Sequence, residues 1–157
     1  NACDTLRDSV SAFFDAPISL NLGPDAILCQ GDTVFIDLPG SQANYLWEDG
    51  STDSSRQLTQ AGLYTLTATN ACGTEEDSLE LTPLTAPNVA LGADTLICAG
   101  NSLLLDATQA AATYLWSTGD TTPTLEVSET GSYSVVVSNF CGTSLDTLEL
   151  EVLPCQR

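Results

Sequence analysis

The chain has 157 residues, and its 21 acidic side chains face only three arginines, with no lysine and no histidine. A formal net charge of −18 argues against nucleic acid and anionic membrane surfaces as partners, because both are bound through clustered cations. The composition also lacks the usual groups that titrate near neutral pH, so we predict a non-catalytic protein and assign no catalytic residue. No apolar run is long enough to insert into a membrane.

One stretch organises the sequence as a repeat. Residues Gly62 to Thr74 return 69 positions later as Gly131 to Thr143, and the same offset carries Trp47 onto Trp116. Residues 1–16 match the end of a further copy, so they are predicted to form an orphan N-terminal strand. The predicted organisation is residues 1–16, then repeat 1 (residues 17–86), then repeat 2 (residues 87–157). The absence of methionine is typical of a processed chain or a piece of a longer one.

Repeat 1 reads as a series of short strands. We predict two short pieces over 20–29, then strands over 33–38, 44–47, 56–59, 62–72 and 78–82. Apolar residues alternate with polar ones along these segments, as they do in antiparallel sheets with one solvated face. This parity places Trp47 and Trp116 in equivalent core positions. Phe35 and Leu104 fall on the outward parity, where either a neighbouring strand or another chain would cover them.

Repeat 2 follows the same plan. Close turns between short strands and the absence of a helical period predict an all-β fold of two tandem immunoglobulin-like β-sandwiches. The motifs of repeat 1 are Leu22-Gly-Pro-Asp25, Tyr45-Leu-Trp47, Gly62-Leu-Tyr64 and Asn70-Ala-Cys-Gly73. With their copies in repeat 2, they resemble the immunoglobulin-like or PKD-like repeats of large secreted surface proteins of gliding bacteria. The resemblance implies an extracellular, surface-associated structural or adhesive role.

The six cysteines suggest a disulfide framework. Cys29 and Cys72 are separated by 43 residues, as are Cys98 and Cys141, which predicts one disulfide inside each repeat and an oxidising compartment. Zinc is the rival interpretation, but the chain has no histidine and no Cys-x-x-Cys pair. Each second cysteine lies eight residues beyond its tyrosine, so the bond is expected to clamp the end of the sandwich.

Two cysteines remain outside this pattern. Cys3 and Cys155 are candidates for an intermolecular disulfide between chains joined head to tail. In that arrangement residues 3–14 would add as a strand to a neighbouring copy and bury Val10, Ala12 and Phe14. The alternative is that the partner of Cys3 lies in an upstream half-repeat.

The loop after Trp47 is the one candidate for a metal. Glu48, Asp49 and Asp53 offer oxygen ligands that would suit calcium. The copy in repeat 2 has one carboxylate, Asp120, where repeat 1 has three, so a solvated turn is the favoured interpretation. No other cofactor is expected.

A recurrent aspartate followed by serine or threonine gives candidate O-glycosylation sites. The alternative is that these residues bond nearby backbone at strand starts. Ser9, Ser78 and Thr147 lie on outward parity and are the best candidates. The full set is Thr5, Ser9, Thr33, Ser78, Thr95, Thr121 and Thr147.

These features predict a secreted structural protein that serves as a filament subunit, stalk or adhesin spacer. Its expected partners are copies of itself and, in addition, surface glycans or proteins. A carbohydrate- or protein-binding accessory module of a larger secreted protein is the alternative function.

Overall fold

The computed structural model describes residues 16–39 and 43–155. Within these ranges all regular elements are strands, and no helix long and apolar enough to cross a membrane is found there. The predicted strand addition by Val10, Ala12 and Phe14 lies outside the described residues, as do Cys3, Thr5 and Ser9.

Repeat 1 forms two sheets. One has the order β1-β6-β5-β3, and β2 and β4 form the other. The strands are β1 (Ala26–Cys29), β2 (Val34–Asp37), β3 (Asn44–Trp47), β4 (Ser55–Leu58), β5 (Gly62–Asn70) and β6 (Gly73–Leu84).

Repeat 2 has the same architecture, with a sheet of order β7-β12-β11-β9 and a sheet of β8 and β10. The strands are β7 (Thr95–Cys98), β8 (Leu103–Asp106), β9 (Thr113–Trp116), β10 (Thr124–Val127), β11 (Gly131–Asn139) and β12 (Gly142–Leu153). The two sheet pairs make two immunoglobulin-like β-sandwiches, as the alternation of the sequence predicts.

The alternating apolar residues form the two cores. Trp47 and Trp116 are each 2% exposed, which confirms that both tryptophans are core residues. Around them pack aliphatic side chains from both sheets of each repeat, and no polar or charged residue within the described ranges is buried. The buried aliphatic set includes Ile36, Leu58, Leu66, Leu79 and Leu81 in repeat 1 and Leu105, Val127, Val135, Val137, Leu148 and Leu150 in repeat 2.

The boundary between the two compact units does not coincide with the boundary between the two sequence repeats. The first unit contains residues 16–26, Val34–Leu58 and Gly62–Leu81, whereas the second contains Ile27–Thr33, Thr59–Ala61 and the chain from Thr82 onward. The segment that carries Cys29 therefore belongs to the second unit, although it lies in repeat 1 of the sequence.

Two expectations about strands are wrong. The last strand of repeat 1 runs from Gly73 to Leu84, because β5 and β6 form one hairpin paired from Asn70↔Gly73 to Gly62↔Leu81. For Phe35 and Leu104, the alternative of cover by a neighbouring strand is also wrong, since they are 68% and 62% exposed, and cover by another chain stays a prediction.

Candidate functional site

The four cysteines with assigned bonds form two disulfides that differ from the predicted ones. Cys29 is bonded to Cys141 and Cys98 to Cys155, with Cα–Cα distances of 5.5 and 5.3 Å. The predicted intra-repeat pairs Cys29–Cys72 and Cys98–Cys141 are therefore wrong. The predicted intermolecular bond between Cys3 and Cys155 is wrong as well, because Cys155 is already bonded within its own chain.

The register of repeat 2 explains why Cys98 cannot reach Cys141. Strand β7 pairs in parallel with the end of β12, which places Cys98 opposite Leu153. Cys141 lies just before the start of the same 12-residue strand, and a strand of that length spans about 37 Å. A disulfide needs Cα atoms within about 7 Å, and Cys155 meets that limit because it follows Leu153 by two residues.

An asparagine organises the turn that holds Cys141. The side-chain oxygen of Asn139 accepts a hydrogen bond from the Cys141 amide at 2.8 Å, and its Nδ2 donates to the Thr85 carbonyl at 2.8 Å. Asn70 makes the same two bonds, from the Cys72 amide and to the Ala16 carbonyl, at 2.8 and 2.9 Å. The Asn-x-Cys-Gly motif thus ties the chain entering each repeat to the hairpin turn of that repeat.

The second half of this turn is closely packed. A Cβ on Gly142 would meet the Cβ of Ala86 at 3.2 Å, and φ at this glycine is +156°. The Cys141 Sγ also lies 3.4 Å from the Leu84 carbonyl oxygen. The linker that precedes repeat 2 is therefore held against the same turn that carries the disulfide.

Aspartates hold the first segment of each repeat in place of a strand ladder. The carboxylate of Asp77 accepts from the Leu22 amide at 2.7 Å, and Asp25 accepts from the Glu80 amide at 2.8 Å. In repeat 2, Asp146 and Asp94 make the corresponding bonds to the Leu91 and Glu149 amides. This is the physical reason for the Leu-Gly-x-Asp motif, in which sequence reasoning recognised only a break between strands.

The loop proposed for calcium is organised around an arginine. Arg56 Nη2 lies 2.7 Å from Asp49 Oδ2, and Arg56 Nη1 lies 3.1 Å from Glu48 Oε1. Asp53 contributes its backbone carbonyl, which accepts the Trp47 indole N–H at 3.0 Å. A guanidinium therefore occupies the position beside the two carboxylates where a cation would bind, and no group of three or more metal-ligating residues occurs within the described ranges.

The resolved pKa shifts do not indicate a catalytic base. The Ser51 hydroxyl, together with the Ser51 amide, lowers the pKa of the exposed Asp49 carboxyl. The hydroxyl and amide of Thr108 lower the pKa of Asp106 in the same way. A carboxylate that acts as a base near neutral pH needs a raised pKa, so both shifts run in the opposite direction.

The described glycosylation candidates differ in access. Ser78 and Thr147 are exposed on the outer face of the four-stranded sheets, as their parity predicts, and Thr121 is exposed in a loop. Thr33 and Thr95 are half-buried, and the Thr95 hydroxyl donates to the Ala93 carbonyl at 2.8 Å. Glycosylation of these hydroxyls stays a prediction, and access favours the three exposed positions.

The outer sheet face of repeat 2 carries a row of apolar side chains that sequence reasoning missed. Val136 lies opposite Leu115 on one side and Leu145 on the other. Leu115 and Leu145 are 56% and 64% exposed. The signal was available in the sequence, because these positions have outward parity and two of them are polar in repeat 1, where Thr67 and Glu76 replace Val136 and Leu145.

Solved structures with a similar fold are tandem immunoglobulin-domain proteins. The I67–I69 fragment of the titin I-band aligns with a TM-score of 0.58 and 14% identity over 82% of this chain and 62% of its own. Drosophila OTK extracellular domains 3–5 give 0.57 and 14% over 83% and 59%. The N-terminal four Ig domains of Dscam1 isoform 8.4 give 0.57 and 14% over 88% and 45%.

These similarities define the class of fold: this chain consists of tandem immunoglobulin-like domains. Identities near 14% show the fold alone, and this chain spans less than two thirds of each of those chains. No protein-family profile and no curated protein matches the sequence.

Proposed function

We propose that this chain is a non-catalytic structural protein of the extracellular surface, acting as a filament subunit, stalk or adhesin spacer. The observation that carries the proposal is the Cys29–Cys141 disulfide, which joins a cysteine of repeat 1 to a cysteine of repeat 2. Successive repeats are thereby connected twice, once through the peptide chain and once through sulfur. Such a connection suits a chain that transmits load, and it needs an oxidising compartment to persist.

The charge pattern supports an extracellular role. A surface with 21 acids and three arginines repels other copies at long range and keeps the chain soluble. Short-range apolar contact between copies would have to overcome this repulsion. We propose that copies join head to tail by addition of residues 3–14 as a strand, with no covalent lock through Cys155.

Electron microscopy of the purified secreted chain tests the filament role. The expected result is fibres from the unmodified chain and monodisperse particles from the variant Val10→Asp with Phe14→Asp. The melting temperature of the variant should equal that of the unmodified chain at a concentration where neither assembles. Monodisperse particles from both chains under all salt conditions would contradict assembly by strand addition.

The apolar row Leu115–Val136–Leu145 favours the second candidate, a binding module for surface glycans or proteins. Its edge residue is also apolar in repeat 1, where Leu46 is 52% exposed. The variant Val136→Thr with Leu145→Glu copies the residues of repeat 1 onto repeat 2. Co-sedimentation with purified surface polysaccharide should be lost in this variant if the row binds glycan, and equal binding by both chains would rule that role out.

A further inference from the structure

The Cys29–Cys141 disulfide sets the covalent path through the molecule. The two cysteines are 112 positions apart, and strands β2 to β11 lie in the closed loop between them. Tension that enters through residues 16–28 and leaves through residues 142–155 passes across the sulfur–sulfur bond. It does not pass along the loop.

We propose that this disulfide is a covalent bypass: it carries the tension and so shields the linker and most of both β-sandwiches from it. The inference rests on the proposed structural role and adds to it the element that carries the load. The elements left on the loaded path are β1, which lies beside β6, and β12, which pairs with β11 and β7.

The linker before repeat 2 shows what the bypass protects. Thr85 and Ala86 follow the last residue of β6, Leu84, and lie inside the closed loop. Weak contacts join this part of the chain to the hairpin turn. These are the Asn139 hydrogen bond to Thr85, the approach of the Cys141 sulfur to Leu84 and the packing of Gly142 against Ala86. A single neutral hydrogen bond contributes about 1 kcal/mol, so without the disulfide the linker would be among the first parts to extend.

The second disulfide provides a matched control within the same chain. Cys98 and Cys155 are 57 positions apart, and while Cys29–Cys141 is intact the shortest path runs through residues 141–155 and does not use this bond. Removing Cys98–Cys155 therefore leaves the fully extended length unchanged. Once Cys29–Cys141 is removed, tension passes across Cys98–Cys155 instead, and the shorter loop between these two cysteines does not extend.

Single-molecule pulling on the full chain tests the proposal. Every variant carries Cys3→Ser and Cys72→Ser, so that only the two described disulfides can form, and peptide tags at both ends attach the handles. Relative to this background, Cys29→Ser with Cys141→Ser should lengthen the extended chain by about 20 nm, the extended length of the difference between 112 and 57 residues. Cys98→Ser with Cys155→Ser should lengthen it by no more than a few nanometres.

Reduction gives the upper limit. Dithiothreitol converts both disulfides to thiols while its own two thiols close to a cyclic disulfide, and the background chain should then lengthen by about 40 nm, the extended length of 112 residues. An oxidised background chain that already extends to the reduced length would overturn the proposal.

Peptide mapping of the oxidised chain provides a test that does not depend on the folding of any variant. A peptide pair that links Cys29 to Cys141 is expected, and a Cys29–Cys72 pair would contradict the bypass. Failure of filament formation with the predicted lengths intact would reject the proposed function and leave the bypass standing. Filament formation by a chain whose extended lengths differ from those predicted would reject the bypass and leave the proposed function standing.

Discussion

The two repeats build the same tryptophan pocket from different neighbours. In repeat 1 the Arg56 guanidinium carbon lies 4.9 Å from the centroid of the Trp47 ring and 5.3 Å from that of Tyr64. Its charge is balanced by Glu48 and Asp49. An arginine can take this position because its flat guanidinium stacks on the aromatic faces while its edge remains paired with carboxylates.

Repeat 2 fills the same position with an aliphatic side chain. Leu125 replaces Arg56 and packs against the core of repeat 2, and Ser117 and Thr118 replace the two carboxylates. The side chain at this first position still accepts a hydrogen bond from a backbone amide in both repeats. In repeat 1, Glu48 accepts from the Thr65 amide at 3.1 Å, and in repeat 2 the Ser117 hydroxyl accepts from the Ser134 amide at 3.2 Å. The three positions have therefore changed together, from a charged set to a neutral set.

The tight turn beside this pocket shows the same exchange. Asp49 accepts from the Ser51 hydroxyl at 2.7 Å, whereas in repeat 2 the Thr118 hydroxyl donates to Asp120 at 2.7 Å. Carboxylate and hydroxyl have exchanged places while the bond across the turn is kept. Both repeats therefore keep the hydrogen bond across the turn and a filled pocket beside the tryptophan, whereas the charged set is present in repeat 1 and replaced in repeat 2.

The largest expected effect concerns the buried tryptophan, which both repeats have. Trp116→Ala should destabilise repeat 2 by about 3 to 5 kcal/mol, because it removes a large buried side chain and leaves a cavity. It also removes the donor to the Thr122 carbonyl at 2.8 Å. Hydrogen exchange of the β11 amides measures the loss for this repeat.

Trp47→Ala is the matched variant for repeat 1. It should lower the stability of repeat 1 by a similar amount, measured by hydrogen exchange of the β5 amides. Trp116→Phe should cost less than Trp116→Ala because most of the volume remains. A loss below about 1 kcal/mol for Trp116→Ala would mean that the pocket contributes little to stability.

The next prediction tests what the repeats do not share. Leu125→Arg should cost about 2 to 4 kcal/mol, because repeat 2 has no carboxylates at positions 117 and 118 to balance a partly buried guanidinium. Arg56→Leu should cost less, about 1 to 2 kcal/mol, since the leucine fills the pocket but leaves two adjacent carboxylates without their cation.

The full exchange provides the control. Arg56→Leu combined with Glu48→Ser, Asp49→Thr and Ser51→Asp reproduces repeat 2, and its stability should return to within about 1 kcal/mol of the unmodified chain. Urea unfolding of the single and combined variants gives the coupling energies. If the four losses of stability simply add, these side chains act independently, and the claim that they changed together as one set would be contradicted.

Sequence periodicity was sufficient for the fold and the cores but not for the disulfides. Parity along each strand correctly predicts Trp47, Leu66 and Leu79 as inward residues, because burial in a sheet follows a period of two. The spacing of cysteines says only how far apart they lie along the chain. Which ones meet depends on the parallel pairing of β7 with β12, and that pairing has no local signature.

The surroundings of the candidate metal loop depend on the fold in a related way. Glu48 and Asp49 looked like calcium ligands because their neighbours along the chain are polar, but their partner Arg56 comes from the next strand. An arginine seven residues after Asp49, matched by leucine in the other repeat, was the available clue. A position-by-position comparison of the two repeats links these three charges, because all three are replaced by neutral residues in repeat 2.

A smaller effect is expected in the loop that precedes the tryptophan strand of repeat 2. Ala111 has φ of +50°, a left-handed conformation that costs an L-residue about 1 kcal/mol and that glycine adopts freely. Ala111→Gly should therefore raise the stability of repeat 2 by about 0.5 kcal/mol after the greater freedom of glycine in the unfolded chain is counted. Thermal unfolding checks the sign, and Ala112→Gly is the neighbouring control, expected to be destabilising.

The smallest expected effect is the loss of stability in acid. The carboxyls responsible for it lie at different positions in the two repeats. Asp49 has a lowered pKa through the Ser51 hydroxyl and amide and through Arg56, and its counterpart in repeat 2 is Thr118. Asp106 has a lowered pKa through the Thr108 hydroxyl and amide. Its counterpart in repeat 1, Asp37, is followed two positions later by a proline, which has no amide hydrogen to donate. The two carboxyls with a lowered pKa therefore lie in different turns of the two repeats.

For both groups the folded-state pKa lies below the unfolded value of about 3.9, so the stabilisation is present above that pH and is lost as the pH falls through the folded-state pKa. Both carboxyls are exposed, so the loss should be slight and should diminish further in high salt where Arg56 contributes. NMR titration of the side-chain carboxyl carbons should give pKa values below the ordinary aspartate value for both. Thr108→Ala should raise the value of Asp106 and leave Asp49 unchanged, while Ser51→Ala should do the reverse. A shift of both carboxyls by either variant would mean that the two turns are coupled and that the acid response does not separate the repeats.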